Sequence, residues 1–194
     1  MNYNRIRTIK SPVFTYEEVA TLLGIKPESA RVLCSRYVQN GLLVRLKRNQ
    51  YVLKEKWDSV GEEEIFEIAN RIQVPSYISL TTALSYYGIT TQIQQEFVES
   101  VSVQRSFSRR ILTMEFSYVK IKRDFYGEFK KVNQFFIAAP EKALLDALYL
   151  TSLGRYSLDK FALDISKINR DKITSLLNNY PQRTKKLWST YENI

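Results

Sequence analysis

The first clear periodicity begins after Thr15. Tyr16, Val19, Ala20, Leu22 and Leu23 recur at helical spacing and predict an amphipathic helix with one buried face. Thr15 and Glu18 stand three apart at its start, the spacing of a capping box in which each side chain bonds the other's amide. Gly24 is placed to stop the helix in a left-handed conformation. Pro27 suits the first turn of a second helix, where its missing N–H is not needed, and Asn40-Gly41 ends that helix. Ala30, Leu33, Cys34, Tyr37 and Val38 fall on its inward side, whereas Glu28, Ser29, Arg31, Val32, Ser35, Arg36 and Gln39 point elsewhere. Two helices joined by a short Gly-containing turn read as a helix-turn-helix. Two apolar runs, 42–46 and 51–53, then flank Lys47-Arg48-Asn49-Gln50 and predict a hairpin with a cationic tip. Asn49 tolerates the positive φ that a tight turn demands. A basic hairpin directly after a helix-turn-helix is the order of a winged helix.

The remaining pattern is mixed. Residues 54–61 read as a hinge between an N-terminal domain of residues 1–57 and a C-terminal domain of residues 62–194. Three glutamates at 62–64 open a helix whose N-terminal dipole favours acids, with Ile65, Phe66, Ile68, Ala69 and Ile72 at helical spacing. Residues 75–88 (PSYISLTTALSYYG) read as an entry turn, a capped helix and a glycine stop. Within 97–122, Leu112, Met114 and Phe116 alternate with Thr113 and Glu115, which predicts strands with one buried face. Residues 132–138 (VNQFFIA) predict one more strand. Pro140 opens a strong helix that runs to Leu150, and further helices are expected over 158–166, 169–179 and 182–191. The expected fold class is α+β: a winged helix-turn-helix followed by a mixed α/β domain.

Composition narrows the chemistry. The 194 residues include no His and one Cys, so Ser-His-Asp and Cys-His catalysis, His-ligated metals, an intrachain disulfide and a Cys-rich zinc site are all excluded. The six glycines are too scattered for a phosphate-cradling loop. No apolar run approaches a membrane span, the N-terminus has no apolar signal core, and a cytoplasmic, reducing setting is expected. The formal charge is +9, and residues 1–60 carry 11 basic against 5 acidic side chains. Six basic residues and one acid fall within 26–48, the electrostatic footprint of phosphate binding. A second stretch, 105–131, holds Arg105, Arg109, Arg110, Lys120, Lys122, Arg123, Lys130 and Lys131. It reads either as the wet face of a sheet or, with Tyr77, Tyr86 and Tyr87, as an RNA- or protein-facing surface.

These patterns nominate residues. Arg31, Ser35 and Arg36 are placed to read bases from the second helix, since Arg bridges guanine O6 and N7. Arg45, Lys47 and Arg48 are placed on phosphates, and Lys26, Ser29 and Asn49 complete the expected DNA-binding set. Glu141, Lys142 and Asp146 invite a catalytic reading, but Lys142 and Asp146 stand i,i+4 and read first as an intrahelical ion pair. Asp124, Glu128 and Lys130 are too few to define a metal-dependent nuclease. No catalytic residue, metal ligand or cofactor is therefore assigned.

Three segments carry a resemblance: GLLVRLKRNQYVL, PSYISLTTALSYYG and APEKALLDALYL. Together they resemble the AbiEi-type antitoxins of the abortive-infection type IV toxin–antitoxin systems, from about Thr15 to Leu150. The family's wing tip carries Gly where this chain has Asn49. The resemblance implies a transcriptional autorepressor that binds double-stranded DNA at inverted repeats upstream of its own operon. It further implies a functional pairing with a nucleotidyltransferase-like toxin, without a stable complex and away from membranes. The rival readings are a metal-dependent nuclease or nucleotidyl-modifying enzyme using the C-terminal acids and Lys, and a module that binds the toxin directly.

Overall fold

A computed structural model describes residues 2–92 and 94–192. The outermost residues of the two expected domains, Met1 and Ile194, lie outside the described residues. The chain divides into two compact units, 1–68 and 69–194.

The first unit contains helices α1 (Asn2–Ile6), α2 (Tyr16–Leu23) and α3 (Pro27–Gln39), strands β1 (Leu43–Lys47) and β2 (Gln50–Leu53), and helix α4 (Lys54–Trp57). Both arms of the capping box at α2 form: Thr15 Oγ1 accepts from the Glu18 amide at 3.2 Å, and Glu18 accepts from the Thr15 amide at 2.7 Å. Gly24 ends α2 at φ 69°, and Gly41 turns the chain out of α3 at φ 70°. Such angles are strained for any residue with a Cβ. β1 and β2 pair antiparallel, and a bridge between Phe14 and Tyr51 adds a third piece of backbone to the wing. Ile6, Phe14, Val19, Ala20, Ala30, Cys34, Leu43, Tyr51 and Leu53 form the core.

Residues 54–57 are not a free hinge. They form α4, and Trp57 is buried. Lys56 Nζ also donates to the Ile9 carbonyl at 2.8 Å. A buried Trp and good helix formers such as Lys and Glu outweigh the linker-like look of the segment. Helix α5 (Glu62–Ile72) follows and crosses the division between the units. The five apolar positions expected to pack, from Ile65 to Ile72, are all buried.

The second unit is built on a six-stranded mixed sheet in the order β5-β6-β4-β3-β8-β7. Its strands are β3 (Ser76–Ile78), β4 (Phe97–Ser102), β5 (Phe107–Ile111), β6 (Met114–Lys120), β7 (Phe129–Val132) and β8 (Phe135–Ala138). Helix α6 (Leu80–Tyr86) lies between β3 and β4 in sequence, and α7 (Pro140–Ser152), α8 (Arg170–Leu177) and α9 (Gln182–Trp188) follow β8. α7 packs on α6, α8 and α9 and is buried from Glu141 to Leu150.

Three expectations need correction. Residues 76–78 are a central strand rather than part of an entry turn, and Tyr77 is fully buried. The run 132–138 is not one strand: Asn133 at φ 49° turns β7 into β8. Asn bears a left-handed angle better than most residues because its short side chain bonds locally. Residues 158–166 form two 3₁₀ turns, Lys160–Ala162 and Ile165–Lys167, rather than a helix. Asp159 and Asp164 accept from the Phe161 and Ser166 amides, and these local bonds compete with helix propagation.

The mixed sheet also buries an acid. Glu99 on β4 is 4% exposed, and its Oε2 accepts from the Thr81 amide at 3.1 Å and the Tyr156 hydroxyl at 2.9 Å. Burial outweighs these bonds and raises its carboxyl to about 7 from an ordinary 4.5. The native state therefore holds a proton that the unfolded chain releases. That contribution is complete below the unfolded value and is lost as pH rises through about 7. The expected loss is roughly 3 kcal/mol across this window, at about 1.4 kcal/mol per pH unit. Glu99→Gln keeps an acceptor oxygen and removes this slope. In urea titrations between pH 4.5 and 8, the variant should gain on the wild type as pH rises; a constant difference would contradict the buried acid.

Candidate nucleic-acid interface

The core of the first unit orients α3. Ala30 and Cys34, both fully buried, fix which side faces inward, and Leu33, Tyr37 and Val38 pack beside them. The Cys34 thiol is pushed up to about 11 by burial, which marks a packing residue rather than a reactive one. The outward face is then set by the 3.6-residue repeat. Glu28, Val32, Ser35 and Gln39 lie near its middle, with Arg31 on one flank and Arg36 on the other. Arg31 and Arg36 are five residues apart, hence about 140° apart around the helix.

Between α3 and the wing lies a cleft of about 350 Å³. α3 contributes Arg31, Val32 and Ser35; the wing contributes Arg45, Arg48, Asn49 and Tyr51; Tyr16, at the start of α2, also lines it. Three guanidinium groups line it and, among the described residues, no acid does. Among the described residues, the side chains of Arg31, Ser35, Arg36 and Arg48 make no intramolecular hydrogen bond or ion pair. Their donors are therefore free to meet phosphate oxygens or base edges.

The nominated DNA-binding residues thus separate by position. Arg31, Ser35, Arg45, Arg48 and Asn49 come together on the cleft. Lys26, Ser29 and Arg36 are exposed but lie off it, and Lys47 is half-buried on β1. Lys26 occupies the N-cap position of α3 and makes no side-chain cap there. Asn49 adopts φ 59°, so the left-handed turn forms without Gly. Its side chain is spent inside the fold: Oδ1 accepts from the Tyr16 amide at 3.0 Å, and Nδ2 donates to Glu17 at 2.6 Å. Asn49 therefore ties the wing tip to the start of α2. Three further residues, Tyr16, Val32 and Tyr51, line the cleft although they were not among those nominated. Val32 was legible: it stands three residues from Ser35, hence on the same helical face.

The basic stretch 105–131 does not form one patch. Arg109 and Arg110 lie on β5, at one edge of the six-stranded sheet, and Lys130 and Lys131 lie on β7, at the other. Five strand spacings, about 24 Å, separate them. Arg110 pairs with Glu115 at 2.7 Å, Arg105 stacks over Phe107 at 5.0 Å, and Lys130 sits 5.5 Å from the Tyr87 ring. Charged edge strands of this kind discourage sheet-to-sheet pairing. Tyr77 is removed from any surface, stacked on Phe129 at 4.8 Å.

The acids and Lys of α7 form a buried network. Lys142 and Asp146 pair with side chains 3% and 0% exposed. Asp146 Oδ2 also accepts from Tyr77 Oη at 2.9 Å and Ser79 Oγ at 2.8 Å, and Lys142 Nζ donates to Tyr180 Oη at 3.2 Å. Burial and the Asp146 charge together hold the Tyr77 hydroxyl well above its ordinary range. Glu141 instead turns to α8, 3.1 Å from Lys172 Nζ. Among the described residues, no group of three or more His, Cys, Asp or Glu is arranged to hold a metal, and no helix is long and apolar enough to cross a membrane.

Residues 5–54 match a family model described as transcriptional regulator, AbiEi antitoxin. The matched span runs from α1 through the helix-turn-helix and wing to the first residue of α4. No curated protein matches the chain. In fold, the chain is similar to the crystal structure of the RV2827C protein from Mycobacterium tuberculosis. The TM-score is 0.62 at 13% identity, with 98% of this chain and 77% of that chain covered. At that identity the likeness speaks for the fold alone.

Proposed function

We propose that this chain, whose residues 5–54 match the AbiEi antitoxin regulator model, is a cytoplasmic, sequence-specific autorepressor and the antitoxin of a type IV system. It binds inverted repeats in double-stranded DNA upstream of its own operon and counters a nucleotidyltransferase-like toxin without forming a stable complex with it. The observation that carries the DNA-binding part is the arginine-lined, acid-free cleft between α3 and the wing. A helix of 13 residues with one uncommitted polar face fits the major groove, and a cationic hairpin beside it meets the flanking backbone. Base contacts by Arg31 and Ser35 supply discrimination, with Arg36 reaching the opposite side of the groove. Arg45, Lys47 and Arg48 position the domain on phosphates.

The test is a reporter fused to the DNA upstream of this chain's gene, with the chain supplied in trans. Repression that disappears in Arg31→Ala, while the protein level is unchanged, supports autorepression. A reporter indifferent to the chain contradicts it. Co-expression with the neighbouring gene product then separates the antitoxin arm: rescue of growth without co-purification fits the proposal, and stoichiometric co-purification favours direct toxin binding.

A further inference from the structure

Val32 is out of character with its surroundings. It is 49% exposed, the one large apolar side chain so exposed among the described residues of the first unit. The core does not call for it, because Ala30 and Cys34 already fill the inward side of α3. Helix propensity does not call for it either, since a β-branched residue is a weaker helix former than the Lys, Gln or Ala usual on an exposed face. Its neighbours on the cleft are the uncommitted Arg31 and Ser35, with Arg45 and Arg48 across from it. Those cations select a polyanion as the occupant, so the apolar contact must be one that nucleic acid provides. In the major groove, the C5-methyl of thymine is that apolar group.

We propose that Val32 is a specificity-determining residue that packs its methyl groups against a thymine C5-methyl next to the bases read by Arg31 and Ser35. The inference rests on the DNA-binding reading above and names the base that its site selects. A helical Val has essentially one χ1 rotamer, so the contact orders nothing new on binding. Removing the thymine methyl group from water against Val32 changes affinity by about fourfold per contacted thymine.

The experiment uses the full chain and the upstream DNA prepared with either thymine or uracil throughout. Uracil pairs as thymine does and lacks only the C5-methyl. Scrambled thymine DNA is the reference, and Kd is read by anisotropy. The wild type should bind uracil DNA at least about fourfold more weakly than thymine DNA. Val32→Ala should bind thymine DNA as weakly as the wild type binds uracil DNA, and should not distinguish the two. Val32→Ile should retain the thymine preference. Equal binding of thymine and uracil DNA by the wild type overturns the inference. So does a thymine preference that survives Val32→Ala, because the methyl then acts through DNA shape. Equal binding of upstream and scrambled thymine DNA defeats the autorepressor reading itself, and this outcome is distinct from the other two.

Discussion

Asp146→Ala should destabilise the C-terminal unit by about 3–5 kcal/mol, the largest effect of any single substitution considered. The substitution leaves the Lys142 ammonium buried without its counter-charge. It also removes the acceptor shared by the Tyr77 and Ser79 hydroxyls. Tyr77 sits on the central strand β3, so the damage is transmitted to the middle of the sheet. The double variant Lys142→Met and Asp146→Asn should recover much of the loss. It buries no charge and keeps an amide oxygen for the two hydroxyls. Urea denaturation followed by circular dichroism measures both. A loss below about 1 kcal/mol for Asp146→Ala would mean that the pair is solvated rather than buried.

The second large effect is electrostatic. If about six phosphates are neutralised, log K falls against log salt with a slope near −5, and affinity drops about 10³-fold between 50 and 200 mM salt. The individual residues should divide by role. Arg45→Ala or Arg48→Ala should each reduce the slope by about 1 and weaken upstream and scrambled DNA alike. Arg31→Ala should instead erase about 5- to 150-fold of the preference between the two, the equivalent of about 1–3 kcal/mol for a base contact. A flat salt response, or an Arg31→Ala variant with full preference, would remove the assignment of these roles.

The two units differ in how much of them can be read from the chain. The winged helix was legible almost residue by residue because its signals are local. A capping box, a glycine stop, Pro27 at a first turn and a cationic two-strand run each act within a few residues. The second unit depends on pairings distant in sequence. β3 is three residues long and buried on both faces, so it shows neither length nor alternation, yet it holds β4 on one side and β8 on the other. The basic stretch 105–131 looks continuous along the chain, but the strand order sends its two ends to opposite edges. For the site, the helical repeat placed Arg31 and Ser35 together. What local signals did not show is that Tyr16 and Tyr51 line the cleft, and that the Asn49 side chain is bonded to Tyr16 and Glu17 some thirty residues away.

The face formed by α3 and the wing is expected to recognise a particular DNA sequence. The most direct measurement is an anisotropy titration, at one fixed salt concentration, of the wild type and Arg31→Ala against upstream and scrambled duplexes. The account predicts that the wild type binds the upstream duplex at least about 10³-fold more tightly than the scrambled one. It also predicts that Arg31→Ala loses part of that ratio while its scrambled-DNA affinity changes little. Equal wild-type affinity for both duplexes would contradict the account, and would reduce the arginine-lined cleft to a generic cationic surface.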